Sequence, residues 1–378
     1  MKTNKIATLF TMIIAASIMS CGGGLESDQV STTYTPKPTP IPTPTPTPTA
    51  TTLKAAATFP IGNIVSASKL SGSDSNFTTL LNKEFNSITA ENDMKMGAMF
   101  TGPNTYDFSK GDAIVAYAKA NGLRVHGHAL VWHASIPNWL KNFTGTNAEF
   151  EAQVKGYVKA TVAHFALAKT TDGKSVVASW DVVNEHFTSE ALAGPFYAKL
   201  GPDYVAKCFT WAKEANAEVK LFYNDYNLDS QASKVTSVVN MVADFKTRAI
   251  PLDGIGSQMH ISYSYPNLTT ISSTLSQLVG TGLLIHFSEL DMTVNGDLAL
   301  TSFTAERSNA QKAKYKSIAI MYKTIPAAQR FGITFWGVRD NDSWLRGWPV
   351  KTDYEWPLLF DSNYGYKPAY TGFLEGLQ

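Results

Sequence analysis

The sequence has only two cysteines, Cys21 and Cys208, among its 378 residues. One pair cannot build the disulfide framework on which small secreted folds depend, so stability must come from a hydrophobic core. The chain can form such a core, because 44% of its residues are hydrophobic. Cys208 falls within the helical pattern YVAKCFTWA, and we expect it to be a buried apolar side chain rather than a nucleophile.

The sequence also lacks an excess of charge of either sign, since 32 basic and 31 acidic residues give a formal net charge of +1. A protein that binds nucleic acid usually carries a basic surface, so we expect no nucleic-acid partner. Metal-ligand spacings such as His-Glu-x-x-His are missing, and so is a glycine-rich phosphate-binding loop. We therefore expect neither a metal ion nor a cofactor.

The N-terminus has the pattern of an export signal. Lys2 and Lys5 precede an apolar run over residues 6–18, and the signal ends at position 20. The junction SIMSCGGG resembles a bacterial lipoprotein signal, in which the cysteine, here Cys21, becomes the lipidated first residue of the mature chain. We expect an exported protein that is lipid-anchored at the bacterial cell surface or outer membrane, with an ordinary cleaved signal as the alternative.

A segment rich in threonine and proline follows the signal. Residues 31–52, STTYTPKPTPIPTPTPTPTATT, contain few backbone donors and favour an extended polyproline form. We therefore divide the chain into a signal at 1–20, a lipidated N-terminus and linker at 21–55, and a folded domain at 56–378.

Eight apolar runs alternate with helical patterns from residue 56 onward. Near-continuous apolar strands separated by helices indicate a parallel sheet covered by its crossover helices. One of these helices, GDAIVAYAKANG, ends at Gly122, a typical helix stop. Eight such units predict an α/β fold of the (β/α)8 TIM-barrel type. The runs are FPIGNIVS, FNSITAEN, RVHGHALVW, SVVASWDVVNE, VKLFYNDY, GIGSQMHIS, LLIHFSELD and FGITFWGV.

Polar side chains stand at the carboxyl ends of six of these runs. In a barrel those ends share one rim, which is where the active sites of this fold lie. Polar caps of strands explain one or two such cases, whereas six favour a functional site. The residues are Glu91 and Asn92, His128, Asn184 and Glu185, Asn224 and Asp225, Gln258 and His260, and Glu289 and Asp291.

Two glutamates of this set, Glu185 after the fourth run and Glu289 after the seventh, can face each other across the barrel mouth. Most enzymes that cleave a glycosidic bond use a pair of carboxyl groups on opposite sides of a groove. One group must give a proton to the departing oxygen, and the other must be ionised to attack the anomeric carbon. We assign Glu185, beside the amide of Asn184, as the general acid and base, and Glu289 as the nucleophile.

The neighbours of Glu289 support that assignment. Asp291 lies two residues further along the strand and points to the same side, and His260 ends the adjacent run. A histidine held by Asp291 can donate a hydrogen bond to Glu289 and favour its charged form.

The other histidines and the tryptophans divide by position. We expect structural roles for His126, His164 and Trp180, whereas the rim positions of His128 and His133 favour function. Trp336 and Trp344 follow the eighth run, where we expect them to cover the groove.

Five motifs occur in order along the chain, namely TAENDMK, HGHALVWH, WDVVNE, GIGSQMHI and SELD. Together they resemble those of glycoside hydrolase family 10, the endo-β-1,4-xylanases, and the resemblance extends from about Pro60 to the C-terminus. The resemblance implies a retaining enzyme that cleaves internal bonds of xylan by double displacement, with its carboxyl groups about 5 to 5.5 Å apart. The implied partner is xylan or a xylo-oligosaccharide, and we expect a monomer.

The resemblance also implies a role for each matching residue. Glu289 would be the nucleophile and Glu185 the acid and base, and the residues implied to support them are His260, Asp291, Asn184 and Gln258. The residues implied to bind the sugar chain are Glu91, Asn92, Lys95, His128, Trp132, Tyr226, Trp336 and Trp344.

Two other interpretations stay open. A related barrel glycosidase acting on β-glucan or β-mannan would also place Asn-Glu after the fourth strand and Glu after the seventh. A glycan-binding lipoprotein with an inactive barrel is the second alternative, although such a site has no need of a proton donor.

Overall fold

The structure is a computed structural model that describes residues 52–378. The predicted signal, the Cys21 lipidation site and most of the predicted linker lie outside the described residues. Among the helices of the described part, none is long and apolar enough to cross a membrane.

Eight parallel strands form a closed barrel in residues 52–378, as the eight apolar runs predict. Each strand pairs with the next one along the chain, and the eighth pairs with the first, which closes the ring. The strands are β1 (Ile61–Val65), β2 (Ser87–Ala90), β3 (Arg124–Gly127), β4 (Val177–Asn184), β5 (Lys220–Asp225), β6 (Gly254–Ser257), β7 (Leu284–Thr293) and β8 (Arg330–Phe335).

A helix follows each strand and packs outside the barrel. The main helices are α1 (Ser75–Glu84), α2 (Ser109–Ala120), α3 (Asn147–Ala166), α4 (Tyr204–Ala215), α5 (Ala232–Thr247), α6 (Leu268–Val279), α7 (Ala305–Thr324) and α8 (Pro368–Leu377). Shorter α-helices span Leu53–Ala56, Ala67–Ser71, Met96–Met99, Asn138–Lys141, Ser189–Leu192 and Pro195–Leu200. The short 3-10 helices are His133–Ser135, Ala327–Gln329, Asp340–Asp342 and Trp344–Arg346.

One short hairpin and two short strand segments are added to the barrel. Phe100–Gly102 and Thr105–Tyr106 form an antiparallel hairpin apart from the main sheet. Val131–Trp132 pairs with the end of β4, and His260–Ser262 pairs with the end of β7. The last two extend the wall at the carboxyl ends of the strands.

Local sequence signals fix the helix ends. Thr146 and Glu149 form a capping box at the start of α3, in which each side chain bonds the backbone N–H of the other. The chain leaves α2 through Gly122, whose φ of +66° suits glycine and confirms the predicted helix stop.

The beginning of the described part packs on the barrel. The side chain of Leu53 is fully buried in the core, and its backbone N–H donates to Glu84 Oε2 at 2.9 Å. Residues 53–55, which the sequence places in the linker, therefore belong structurally to the barrel. The apolar Leu53 side chain anchors these residues to the core. The Thr/Pro-rich composition of the preceding segment gave no sign of this contact.

Several residues predicted to be structural are confirmed as such. Cys208 is a free, buried thiol, and burial raises its pKa above the ordinary range. Trp180 is 1% exposed in the core. His126 is buried inside the barrel with Nδ1 2.7 Å from Ser179 Oγ, and His164 Nε2 lies 2.7 Å from Asp112 Oδ1 on the outside.

Gly256 on β6 gives the Asn224 side chain the space it occupies. The two residues are paired in the register between β5 and β6. A Cβ placed on Gly256 would lie 2.2 Å from Asn224 Oδ1, far closer than two such atoms can approach. A side chain at position 256 would therefore have to displace the Asn224 amide.

We expect Gly256→Ala to lower the free energy of unfolding by about 1–3 kcal/mol, as overpacking of a close-packed site does. Denaturant unfolding measures the change. The matched control is Gly102→Ala, whose added Cβ would make an ordinary contact with Thr105 at 3.7 Å. Equal stability of Gly256→Ala and the unaltered protein would show that the added Cβ does not have to displace the Asn224 amide.

Candidate active site

A cavity of about 1000 Å³ opens at the carboxyl ends of the strands. It brings together all fourteen groove residues that the sequence predicts, from seven different strands or their following loops. These are Glu91, Asn92, Lys95, His128, Trp132, Asn184, Glu185, Tyr226, Gln258, His260, Glu289, Asp291, Trp336 and Trp344. The two glutamates therefore face one groove.

Glu185 directly follows β4 and accepts three hydrogen bonds. Trp132 Nε1 donates to Oε2 at 2.9 Å, and Gln258 Nε2 and Asn184 Nδ2 donate to Oε1 at 3.0 and 3.2 Å. The backbone of Glu185 has a φ of +58°, a left-handed conformation that is uncommon for any residue except glycine. Side-chain donors and an unusual backbone thus fix the direction of this carboxyl group.

Glu289 lies on β7 and is only 5% exposed. Its Oε1 accepts a hydrogen bond from Asn224 Nδ2 at 2.7 Å, and its Oε2 lies 3.3 Å from His260 Nε2. Burial acts to raise the pKa of Glu289, but the hydrogen bond from His260 and the nearby cationic groups outweigh it and hold the pKa below its usual value. The carboxyl group is therefore ionised near neutral pH.

A pair of amides connects the two glutamates. Asn224 Nδ2 donates to both Glu289 Oε1 and Asn184 Oδ1, the latter at 2.8 Å, and Asn184 donates in turn to Glu185. Ser288 Oγ donates to Asn224 Oδ1 at 2.6 Å, which sets the orientation of the Asn224 amide. The sequence predicts Asn224 at the rim but assigns it no part in this link.

His260 lies between two carboxylates. Its Nδ1 is 2.9 Å from Asp291 Oδ1, and its Nε2 faces Glu289. Burial opposes the charged imidazolium, but Asp291 and Glu289 more than offset this and raise the pKa of His260 to about 10. Trp344 Nε1 donates to the other oxygen of Asp291 at 2.7 Å. The predicted contact between His260, Asp291 and Glu289 is thus present in the structure.

His128 is oriented from below by Asp181, a residue for which the sequence predicts no role. His128 Nδ1 lies 2.8 Å from Asp181 Oδ2, and both side chains are buried. Burial acts to raise the pKa of Asp181, and its two histidine neighbours, His126 and His128, lower it well below the usual range. An ionised Asp181 fixes the ring of His128, whose other nitrogen is left for the groove.

Lys95 supplies a positive charge to the same groove. Its Nζ donates to Asn92 Oδ1 at 3.0 Å and lies 4.8 Å from the centre of the Trp132 ring. Burial lowers the pKa of Lys95, while Glu289, Glu91 and Glu185 act in the opposite direction. The lysine can therefore bind a sugar hydroxyl while remaining close to the paired carboxyl groups.

Aromatic rings form one wall of the groove. The Trp336 ring lies edge-on to His128, and the Trp344 ring stacks on Trp348 with a centroid distance of 5.3 Å. Trp348, for which the sequence predicts no role, is 61% exposed and also lines the cavity. The sequence signal that could have indicated this role is the spacing of Trp348, four residues after Trp344 in a loop that contains glycine and proline.

His133, whose rim position favours a function, is half-buried in the short helix His133–Ser135. It does not itself line the cavity, although its chain neighbours Trp132 and Ala134 do. A functional role for His133 stays a prediction. Within residues 52–378, no group of three His, Cys, Asp or Glu side chains is arranged to hold a metal ion.

Comparison with known proteins identifies the family. The family profile described as glycosyl hydrolase family 10 matches residues 50–376. The chain belongs to glycosyl hydrolase family 10. The match covers the whole barrel, so the five motifs noted in the sequence are parts of one family pattern.

Family 10 relatives are similar along most of this chain. Endo-beta-1,4-xylanase Xyn10C of Cellvibrio japonicus is 37% identical over an alignment of 350 residues, and the match covers 85% of this chain and 57% of that protein. A beta-1,4-xylanase of Dictyoglomus thermophilum is 35% identical, with 78% of this chain and 82% of that protein covered. The chain thus spans little more than half the length of Xyn10C.

The fold of this family 10 chain matches solved structures as well. Xylanase 10C from Cellvibrio japonicus, in complex with xylopentaose, superimposes with a TM-score of 0.80 at 35% identity. The match covers 86% of this chain and 69% of that chain.

Replacing the His260 imidazolium by a neutral amide should raise the pKa of Glu289, because burial would then act with less opposition. We expect His260→Gln to shift the acidic limb of kcat/KM towards higher pH by about one unit, the size expected when a charged hydrogen-bond donor becomes a neutral one. The pH dependence of kcat/KM on a xylo-oligosaccharide measures the shift. An unchanged acidic limb would show that His260 does not control the ionisation of Glu289.

Proposed function

We propose that this chain is an endo-1,4-β-xylanase that hydrolyses internal bonds of xylan with retention of anomeric configuration. The observation that carries the proposal is the amide link through Asn184 and Asn224, which joins Glu185 and Glu289 in one groove. The xylanase names of the family 10 relatives and the xylopentaose complex of a similar structure support the choice of polymer.

The surroundings of the two glutamates differ in the way a double displacement requires. Glu289, ionised beside the His260 imidazolium, attacks the anomeric carbon and forms the glycosyl-enzyme while the bond to the leaving sugar breaks. Glu185 gives its proton to the departing oxygen and then takes one from the water that hydrolyses the intermediate. Each group thus performs one task in each half of the reaction.

The remaining groove residues bind the sugar chain in this proposal. Asn92 and Lys95 offer an amide and an ammonium group for hydroxyls, and Tyr226 and Trp344 offer ring surfaces. A xylose unit lacks the C6 hydroxymethyl group of glucose, so a close wall at Trp336 and Trp344 disfavours glucose chains. Such discrimination amounts to about 1–3 kcal/mol for each contact.

We expect Glu289→Ala to abolish hydrolysis of xylan while leaving xylan binding measurable, because only the covalent step needs this carboxylate. Reducing-sugar release measures turnover, and affinity electrophoresis in xylan gels measures binding. The surface variant Glu306→Ala, in the first turn of α7, is a control that should keep full activity. Unchanged hydrolysis by Glu289→Ala would discard the assignment of the site.

A comparison of polymers separates the alternative enzymes. The unaltered protein should hydrolyse xylan and leave carboxymethyl cellulose and mannan almost intact under the same conditions. Faster hydrolysis of either of the other polymers would support a β-glucanase or a mannanase instead. Binding of xylan without any hydrolysis would support an inactive glycan-binding protein.

We further propose that the barrel is exported and lipid-anchored through Cys21, with residues 21–55 as the anchored N-terminus and linker. The support comes from the sequence alone, namely the lipoprotein-type junction SIMSCGGG and the Thr/Pro-rich segment after it. A lipid anchor with an extended linker would let a monomeric barrel reach polymer outside the cell.

We expect Cys21→Ser to release the full-length protein from the membrane fraction, because serine cannot carry the thioether-linked lipid. Immunoblots of membrane and soluble fractions measure the distribution. Cys208→Ser is the matched control and should stay with the membranes. Continued membrane association of Cys21→Ser would remove the anchor from the proposal.

A further inference from the structure

A buried ion pair behind the groove has no part in the chemistry described above. Lys234 and Asp225 are 7% and 0% exposed, and Lys234 Nζ lies 2.6 Å from Asp225 Oδ1. Lys234 stands in the first turn of α5, where the helix dipole disfavours a cation. A buried ion pair adds little net stability, because the loss of hydration offsets the attraction. Stability alone therefore gives no reason for a lysine at this position.

Hydrogen bonds extend from this ion pair to the backbone next to Glu185. Tyr223 Oη donates to Asp225 Oδ2 at 2.5 Å and accepts the N–H groups of His186 and Phe187 at 3.0 and 3.4 Å. Glu185 itself, one residue earlier, has the left-handed φ of +58°. Such a conformation persists only where the surroundings hold it, and the Tyr223 hydroxyl holds the two peptides that follow.

The same lysine also fixes one side of the groove. Lys234 Nζ donates to the backbone oxygen of Tyr226 at 3.2 Å and lies 3.5 Å from the centre of its ring. The N–H of Tyr226 donates to Asp225 Oδ1 at 2.9 Å. Tyr226 and Glu185 both line the cavity, so one buried charge pair supports two neighbouring parts of it.

We propose that Lys234, acting through Asp225 and Tyr223, is a positioning residue for proton transfer from Glu185. The inference rests on the proposed function. In the first step the Glu185 proton moves to the glycosidic oxygen as the bond to the anomeric carbon breaks, and Glu289 forms the new bond to that carbon.

The electrostatics of Asp225 show why the lysine is needed. Burial raises the pKa of Asp225 to about 6, and Lys234 and Tyr223 limit that rise. Without Lys234, the buried carboxylate would lose its counter-charge and take up a proton near neutral pH. A protonated Asp225 accepts a weaker hydrogen bond from Tyr223. The Tyr223 hydroxyl would then be less firmly positioned to accept the N–H groups of His186 and Phe187.

A misplaced Glu185 slows bond cleavage only when the leaving group needs a proton. The test therefore compares kcat/KM for xylohexaose, whose sugar leaving group must be protonated, with kcat/KM for 2,4-dinitrophenyl β-xylobioside, whose leaving group departs as an anion. For the dinitrophenyl substrate, kcat/KM reports formation of the glycosyl-enzyme and is insensitive to the later role of Glu185 as a base. The variants are Tyr223→Phe, Lys234→Met and the conservative Lys234→Arg.

Tyr223→Phe and Lys234→Met should lower kcat/KM for xylohexaose at least about tenfold and change it by less than about twofold for the dinitrophenyl substrate. Lys234→Arg keeps the charge and should restore part of the loss. Tyr322→Phe is the matched control, because Tyr322 is equally buried and its Oη also joins a backbone carbonyl, Ile285 O, to a backbone N–H, that of Gly332.

Equal losses on both substrates, or no loss on either, would overturn the inference. If Lys234→Met does not fold, Tyr223→Phe decides the question alone, since it removes a single hydroxyl group. Failure of the proposed function has a different signature, because the unaltered protein would then cleave neither substrate.

Discussion

Asn224 joins the two strands that carry the catalytic pair, and the geometry of the groove depends on that contact. Its amide reaches Glu289 on β7 and Asn184 at the end of β4, and Ser288 fixes which end of the amide faces them. The contact is possible because β5 runs between β4 and β6 in the barrel, and because Gly256 leaves room for the side chain. A closed parallel barrel places strand ends on one rim, and a single amide then sets their relative position.

Charge separates the roles of the two glutamates. Glu289 lies against an imidazolium that Asp291 keeps protonated, so its negative charge is stabilised before substrate arrives. Glu185 is held by an indole and two amides, which are neutral donors that guide its direction. Preorganisation of this kind reduces the rearrangement that the protein must undergo as the bond to the sugar breaks.

The fold and most of the groove could be predicted from the sequence, because their signals are local. Each apolar run overlaps most of one barrel strand, and polar residues at strand ends must meet at one rim. Asp181 could not be assigned in this way, since its contact with His128 depends on the register between β3 and β4. Lys234 stands on a helix, where a lysine usually faces water, and only the structure shows it buried against Asp225 at the end of β5. The lipid anchor stays a prediction, because it falls outside the described residues.

Covalent trapping tests the central claim, that Glu289 attacks a sugar whose departure Glu185 assists. Incubation with a 2-deoxy-2-fluoro-β-xylobioside carrying a good leaving group should leave a stable adduct, because fluorine slows hydrolysis of the glycosyl-enzyme. Mass spectrometry of the digested protein should then find one fluoroxylobiosyl group, on Glu289. A label on Glu185, or the absence of any adduct in a protein that hydrolyses xylan, would contradict this account.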